Sequence, residues 1–458
     1  MYRLLLALVL FLLPTVTLAQ SMPLDRYIRE GLSNNLALKQ RDFSLQKSLK
    51  ALGEAKGLFL PSISFEARYS RAGGGREIII PIGDLMNPVY GTLNELLVAQ
   101  GLPPRPFPTL QNEIVPFLRE EEQETKVRLV QPVFQPAIYY NYKIKKNLAR
   151  VQEEERNVYR RQLVADIKTA YFNYLKTIRI IDLYASTREL LEENLRVSRS
   201  LFGAEKATRE VVFRAEAELS ALEQKEAEAE RDRKLAASYF NFLLNRPPNE
   251  VIEATGDDAG PPEEIMSYEE AERIALTRRE ELFQVEGALE VARHNVRLAG
   301  SRYLPSVNFV LDYGIQGEFY RFSERDDFWM GSVLLSWSIF DGFQRKAKRD
   351  QAVLERKTLE ALREELGSRI VLQVREAFDN LAVARRAIVS AGARVSSAEK
   401  SFEIVRRKYT QGMSPHIEFL DARNTLTNAE ISLVLAGYDY RVRYAEFERV
   451  LALNDFGE

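Results

Sequence analysis

The chain has no cysteine in its 458 residues. That excludes a disulfide framework, thiol nucleophiles and cysteine-ligated metal. Histidine is nearly as scarce, with two copies, His294 and His416. His294 sits mid-helix among arginines and reads as a surface or packing residue. His416 lies beside a helix turn, where a pH-sensing role is an open reading. Metal-ligand spacing is absent. A surplus of one charge is also missing: 64 Lys and Arg against 66 Asp and Glu leave a net −2. Nothing there calls for nucleic acid or an anionic membrane surface as partner. Gly73, Gly74 and Gly75 follow a strand-like segment, but no Gly-Lys-Ser/Thr and helix start come after them, so a phosphate loop is excluded. No acid–base or nucleophilic set can be assembled. The chain is not expected to be an enzyme, and neither a cofactor nor a metal is expected.

Long apolar runs are missing too, with one exception. Residues 4–13 are an uninterrupted run of ten, preceded by Arg3 and followed by Pro14 and the small-x-small pattern Thr17-Leu18-Ala19. This reads as a secretory signal peptide over residues 1–19, with the mature chain beginning near Gln20. Ten apolar residues cannot cross about 30 Å of hydrocarbon as a helix, and no later run reaches about 18, which argues against a helical membrane protein. Without a cysteine at the cleavage site, lipid anchoring there is excluded.

What is present is a phrase written twice. LPSISF occupies 60–65 and LPSVNF occupies 304–309, an offset of 305 − 61 = 244. The same offset puts Leu32 on Leu276, Leu38 on Leu282, Leu45 on Leu289, Ala55 on Ala299 and Tyr69 on Tyr313. Later the offset becomes 207: Ala170-Tyr171-Phe172-Asn173 falls on Ala377-Phe378-Asp379-Asn380, Phe202 on Tyr409, Ala215 on Ala422 and Leu219 on Leu426. The difference, 244 − 207 = 37, measures the extra residues of the first copy. They lie within 72–124, whose glycines and Pro103-Pro104 read as loop. An internal two-fold repeat is therefore expected, over 20–260 and 261–458. Two copies are too few for an open solenoid.

Each copy reads as helix, strand, loop, strand and two long helices. Strands are expected at about 61–71 and 124–134, then at about 305–315 and 328–340, with the 72–123 segment an extracellular loop. Ile63, Phe65, Ala67 and Tyr69 alternate with Ser64, Glu66 and Arg68; Lys126 to Phe134 alternates likewise. Val307, Phe309, Leu311 and Tyr313 alternate with Ser306, Asn308 and Asp312. In the last strand Trp329, Val333, Leu335, Trp337 and Ile339 share a face against Ser332, Ser336 and Ser338. The two tryptophans are 337 − 329 = 8 residues apart. At about 3.3 Å per residue that is ~26 Å, the height of a lipid-facing band with aromatic girdles. Trp329, Trp337, Tyr69 and Tyr313 are the candidate girdle, and Glu66, Arg68, Lys126, Arg128 and Asp312 would face a water-filled lumen. A soluble sheet with one wet face is the alternative for the same strands.

The rest reads as helix. Residues 137–201 and 342–408 contain no proline, and at 1.5 Å per residue each spans about 100 Å. Shorter partners return over 208–245 and 416–453. Narrow apolar stripes, such as Leu219 with Leu222, cannot build a globular core on helices this long and suit coiled-coil packing. Four strands cannot close a barrel, and open edges are not tolerated in lipid. Copies must therefore share one wall with cyclic symmetry, and three copies would supply 12 strands at four per chain.

The duplicated Leu-Pro-Ser strand starts, the element order of each half and the segment Arg407-Lys408-Tyr409-Thr410-Gln411-Gly412-Met413-Ser414, continuing through Leu420-Asp421-Ala422-Arg423 to Leu426, resemble the TolC family of outer-membrane efflux proteins. The resemblance covers nearly all of the mature chain. It implies a mixed α and β membrane protein: a homotrimer whose 12-stranded barrel, four strands per chain, is continuous with a long α-helical coiled-coil barrel. It implies an outer-membrane location extending into the periplasm of a Gram-negative-type bacterium. It also implies a periplasmic adaptor (membrane fusion) protein and an inner-membrane pump of RND, ABC or MFS type as partners, in tripartite efflux or type I secretion.

The resemblance places the family's periplasmic constriction at the helix-turn-helix of 409–423. Glu418 and Asp421, spaced i, i+3 on one helix face, fall on the ring positions. Rings of carboxylates would attract cations and raise their own pKa values; a solvated acidic helix face is the alternative. Tyr409 falls where the family tethers neighbouring helix pairs, with an ordinary packing tyrosine as the alternative. Ser414 stands where some relatives carry an arginine lock, so that lock is absent. Glu210, near Arg209 and Arg214, is the candidate polar partner in the first copy. There Glu205 falls on the family's glycine position and Gly203 stands two residues early, so a differently built turn is expected. Gly412, Met413 and Ser414 of one turn, with Glu205 and Lys206 of the other, are the candidate adaptor contacts. The competing function is an exported coiled-coil scaffold without a channel.

Overall fold

A computed structural model describes residues 23–254, 266–320 and 325–454. The expected signal peptide, 1–19, lies outside these. In chain order the elements are α1 (Pro23–Asn34), α2 (Leu36–Gly57), β1 (Ser62–Arg71), β2 (Glu77–Ile80), α3 (Ile82–Ala99), β3 (Glu113–Pro116), β4 (Glu121–Phe134), α4 (Pro136–Gly203), α5 (Arg209–Leu243), α6 (Tyr268–Arg278), α7 (Glu280–Ser301), β5 (Ser306–Gly317), β6 (Asp327–Ser336), α8 (Gln344–Thr410) and α9 (His416–Val450). The chain divides into two compact units, each drawing on both halves of the sequence. One comprises Met1–Lys50, Lys146–Ala292 and Leu354–Glu458, the other Ala51–Lys145 and Arg293–Val353.

The first unit is helical. One core gathers Tyr27 of α1, Leu163, Ile167, Tyr171 and Tyr174 of α4, and Phe240, Leu243 and Leu244 at the end of α5. Tyr27 packs edge-on against Phe240 at 5.1 Å, and its hydroxyl accepts from the Glu253 amide at 2.8 Å. A second core gathers Ala271 and Ala275 of α6, Ile370, Val374 and Leu381 of α8, and Phe447, Val450 and Leu451 at the end of α9. The two cores use corresponding positions: 374 − 167, 447 − 240 and 451 − 244 all equal 207. The helix ends correspond as well. Asn245 and Ala452, again 207 apart, both take a left-handed conformation, with φ of 57° and 55°. There the Arg246 and Leu453 amides donate to Asn241 O and Glu448 O at 2.9 and 3.0 Å, closing the last turn of each helix.

A buried ion pair crosses this unit. Arg161 Nε on α4 donates to both carboxylate oxygens of Glu280 on α7, at 3.0 and 2.9 Å, and its Nη1 donates to Asn454 O at 2.9 Å. Both side chains are about nine-tenths buried. Among the described residues no helix is long and apolar enough to cross a membrane.

The second unit carries a four-stranded antiparallel sheet in the order β1-β4-β5-β6. The register lines up Phe65, Val127, Tyr313 and Trp329 in one row, and Ile63, Leu129, Leu311 and Gly331 in the next. This face is apolar yet open: Phe65 is 71% exposed and Trp329 75%. The opposite face is a charge lattice. Arg128 makes a bidentate pair with Asp312, both contacts 2.8 Å, and approaches Glu66 at 3.5 Å; Lys126 reaches Glu124 at 2.7 Å. Met330 and Leu334 share the register of Asp312 and Asn308, so the serine face expected for the last strand is mixed.

Two expectations need correction. The last strand was expected to reach 340, but β6 ends at Ser336. Trp337 therefore leaves the ladder, its indole Nε1 donating to Tyr303 O at 3.1 Å, and only Trp329 of the two tryptophans is a strand residue. The segment 72–123 was expected to be loop. It holds the β2–β3 hairpin and the 18-residue α3, and β4 begins early, at Glu121. Its glycines and prolines punctuate these elements: Gly74, Gly75 and Gly101 supply positive-φ turns, and Pro88 is accommodated inside α3.

Removing one partner of the Arg161–Glu280 pair leaves the other charged and buried. Arg161→Met should lower the unfolding free energy by about 3–5 kcal/mol, and Arg161→Met with Glu280→Leu should recover most of it. Urea unfolding followed by circular dichroism in detergent checks both values.

Candidate functional site

The α4–α5 and α8–α9 turns lie within the helical unit, and their backbones are the same. At the α8–α9 turn Gly412 has φ +75°, its amide donates to Tyr409 O at 2.9 Å, and the Met413 amide donates to Lys408 O at 2.8 Å. At the α4–α5 turn Glu205 has φ +58°, its amide donates to Phe202 O at 3.0 Å, and the Lys206 amide donates to Leu201 O at 2.9 Å. Both are helix C-terminal motifs closed by a long-range carbonyl bond. The expectation of a differently built first turn is therefore wrong. Glu205 takes the position glycine holds in the other copy, at a cost of roughly 1–2 kcal/mol for a residue with a Cβ, and Gly203 ends α4 without a positive φ.

Below the turns the four long helices share an apolar cluster: Leu191 of α4, Leu222 of α5, Phe402 and Val405 of α8, and Phe419, Leu420 and Leu426 of α9. Tyr409 is held here. Its ring stacks on Phe419 at 4.9 Å and meets His416 at 5.8 Å. Burial raises the pKa of its phenol, which stays protonated.

Three polar bonds run from the start of α9 to the other helix pair. His416 Nε2 lies 2.9 Å from Asn194 Oδ1 on α4, and Arg423 Nη2 donates to Thr187 Oγ1 at 3.1 Å. Asn424 Nδ2 donates to Glu218 on α5 at 3.3 Å. Arg423 is only 8% exposed and its Nε finds no acceptor. Its guanidinium lies 5.7 Å from the centroid of the Phe402 ring. Burial lowers its pKa, partly opposed by Glu430, whose own pKa burial raises. Sequence reasoning missed Thr187, Asn194 and Arg423. The available signal was polar residues within an apolar helical stripe: Thr187, Leu191, Asn194 and Ser198 recur at i, i+4, i+7 and i+11 and all are buried.

The expected site residues separate into two groups. Glu418 and Asp421 are exposed on α9. Glu418 accepts from Ser414 Oγ at 2.5 Å and stands in the first helical turn, where a carboxylate favours the helix dipole. The Asp421 carboxylate has no hydrogen bond or ion pair among the described residues. Glu210 is exposed and pairs with Arg214 on its own helix at 2.7 Å, not with the other helix pair. Gly412, Met413, Glu205 and Lys206 are exposed at the two turns, whereas Ser414, grouped with them in the sequence reading, is turned inward and buried. Among the described residues no three His, Asp or Glu side chains are grouped to hold a metal ion.

His416 is packed by Tyr409 of α8, Asn194 of α4 and, electrostatically, Arg214 of α5. Burial first and Arg214 second lower its pKa below the ordinary value. The unfolded chain then binds the proton first, so the α9 start is at full stability above about pH 6.5 and loses stability as pH falls through the lowered folded value. Corrected amide exchange over 416–424 should quicken from about pH 6.5 downward. His416→Gln, which keeps an amide donor for Asn194, should flatten that dependence.

Residues 273–452 match the family model described as outer membrane efflux protein. The outer membrane protein TolC of Escherichia coli is 24% identical over 347 residues, covering 71% of this chain and 68% of TolC. The TolC of Salmonella enteritidis is 20% identical over 453 residues, covering 95% of this chain and 83% of its own length. Among solved structures, the open state of the Neisseria gonorrhoeae MtrE outer membrane channel superposes with a TM-score of 0.76 at 18% identity, covering 94% of this chain and 88% of MtrE. The chain thus resembles outer membrane efflux proteins in its matched segment, 273–452, and shares the fold of solved outer membrane channels over nearly its whole length.

Proposed function

We propose that this chain is an outer-membrane efflux channel, assembled as a trimer and gated at its helix turns. The observation that carries the reading is the sheet. It has an apolar face open to the surroundings, a charged face, and two edges, β1 and β6, with no strand beyond them among the described residues. In lipid, each unpaired backbone group costs several kcal/mol, so such a sheet is stable only when another copy completes it. Pairing β6 of one copy with β1 of the next around three copies makes a closed wall of 12 strands with the charge lattice facing water. The corresponding cores and turns support the reading of a duplicated chain, with 20–260 and 261–458 as its two copies.

The gate is assigned to α9. Glu418 and Asp421 are the acidic side chains that its exposed face brings to the turn, and in three copies they make six carboxylates around one axis. Such rings favour cations and oppose anions. The bonds of His416 and Arg423 to α4 then hold the two helix pairs of a copy together, and Tyr409 serves by packing against Phe419. The exposed turn residues Gly412, Met413, Glu205 and Lys206 are the surface offered to a periplasmic adaptor, through which an inner-membrane pump would act. The duct itself is passive, and the pump supplies the energy.

Planar-bilayer recording tests this. The purified protein should give trimeric, cation-preferring conductance. Glu418→Ala with Asp421→Ala should raise conductance by roughly twofold or more and weaken the cation preference. Verified insertion without conductance would overturn the reading.

A further inference from the structure

The segment between β1 and β4 is an ordered element whose polarity is inverted. Asn87 of α3 donates Nδ2 to Leu110 O at 2.8 Å and accepts from the Leu110 amide at 3.0 Å. One heptad later Asn94 repeats this with Arg105, at 3.0 and 2.9 Å. Asn112 donates to the Asp84 carboxylate at 2.8 Å and accepts from the Asp84 amide at 3.1 Å. Tyr90 stacks on Phe107 at 4.6 Å, and Gly83 fits only because it has no Cβ, which would stand 2.4 Å from Leu110 O. The returning chain is therefore pinned along the side of α3 that carries Gly83, Asn87, Tyr90 and Asn94. The apolar side is left over. Leu85, Val89, Leu93 and Leu96, at i, i+4, i+8 and i+11, form a stripe with exposures of 66, 49, 43 and 59%. The hairpin adds Ile79 and Ile114, cross-strand partners that are both exposed.

We propose that the apolar stripe of α3 is an interface between copies of this chain, packed against the same insert of the other copies where the inserts meet about the oligomer's axis. The proposal rests on the oligomeric reading above, and two observations select a second copy as the occupant. α3 carries Asp84 and Glu95 but no lysine or arginine, whereas helices that lie on a membrane surface depend on basic residues for anionic headgroups. The insert is also rooted at the edge that the oligomer must cover: the chain passes from β1, the bare sheet edge, into β2 through residues 72–76 alone.

The absence of cysteine makes single-cysteine probes unambiguous. Val89→Cys and Leu93→Cys mark the stripe, and Glu95→Cys marks an exposed flank of α3 outside it. Each would be labelled with a water-soluble maleimide in lipid nanodiscs, with the oligomer mass measured on the same sample. The stripe positions should react at least about tenfold more slowly than Glu95→Cys, as expected for a water-excluded interface core. They should match it after dissociation in denaturant, and oxidised Leu93→Cys should run as a linked dimer. Equal labelling in an intact oligomer overturns the proposal and leaves the channel reading standing. A fluorophore on Val89→Cys that brominated lipid quenches overturns it in favour of the membrane. A monomer overturns both readings.

Discussion

On the channel reading, an open sheet edge next to lipid is the constraint on which the rest depends. Among the described residues the four strands pair only with each other, leaving β1 and β6 each with an unpaired row of amides and carbonyls. In water those groups would be hydrated. If the apolar face that exposes Phe65, Tyr313 and Trp329 lies in lipid, as proposed, the surroundings would not offer that hydration. The charged face answers the same constraint from the other side. Arg128, Asp312, Glu66 and Lys126 neutralise one another in register, so a wet wall can carry charge without a large net field. Neither face makes sense alone, and neither edge can be left as it is.

Much of this was legible in the sequence, because period and repetition are local signals. Alternation marked β1, β4 and β5 to within a few residues, and helix ends were found near 203, 209, 410 and 416. β6 was read too long, since the alternation of Trp337 and Ile339 continues after the backbone has left the ladder. The 72–123 segment was misread for a different reason. Glycine and proline counts signal breaks, and in a segment with three short elements the breaks outnumber the regular residues that would reveal them. The side-chain brackets of Asn87 and Asn94 to a distant backbone have no periodic trace at all.

The site was legible as a place and not as a mechanism. Tyr409, Glu418 and Asp421 became candidates by matching one segment. The bonds of His416 to Asn194 and of Arg423 to Thr187 could not, because each joins helices more than 200 residues apart in sequence. Their physical meaning is that polar atoms are buried at the start of α9 and held by single bonds, with the Arg423 Nε left without an acceptor and the His416 Nδ1 without a partner. Buried polar groups so sparsely satisfied cost stability, which suits an element meant to be held and released more than one meant to be fixed. Glu205 adds to this, keeping a left-handed turn where glycine would be at ease.

The corresponding positions of the two helical cores bear on the same point. Corresponding positions build both helical cores, yet the two turns differ in side chains: acidic residues ride on α9, while Glu210 of α5 is tied to Arg214. On the gated-channel reading, the α8–α9 pair would carry the moving charge and the α4–α5 pair would hold still. All of it presumes that copies complete one another. Native mass spectrometry of protein released from outer-membrane lipid tests that most directly. The account predicts one species with three times the mass of the mature chain; a membrane-inserted species with the mass of a single chain would contradict it.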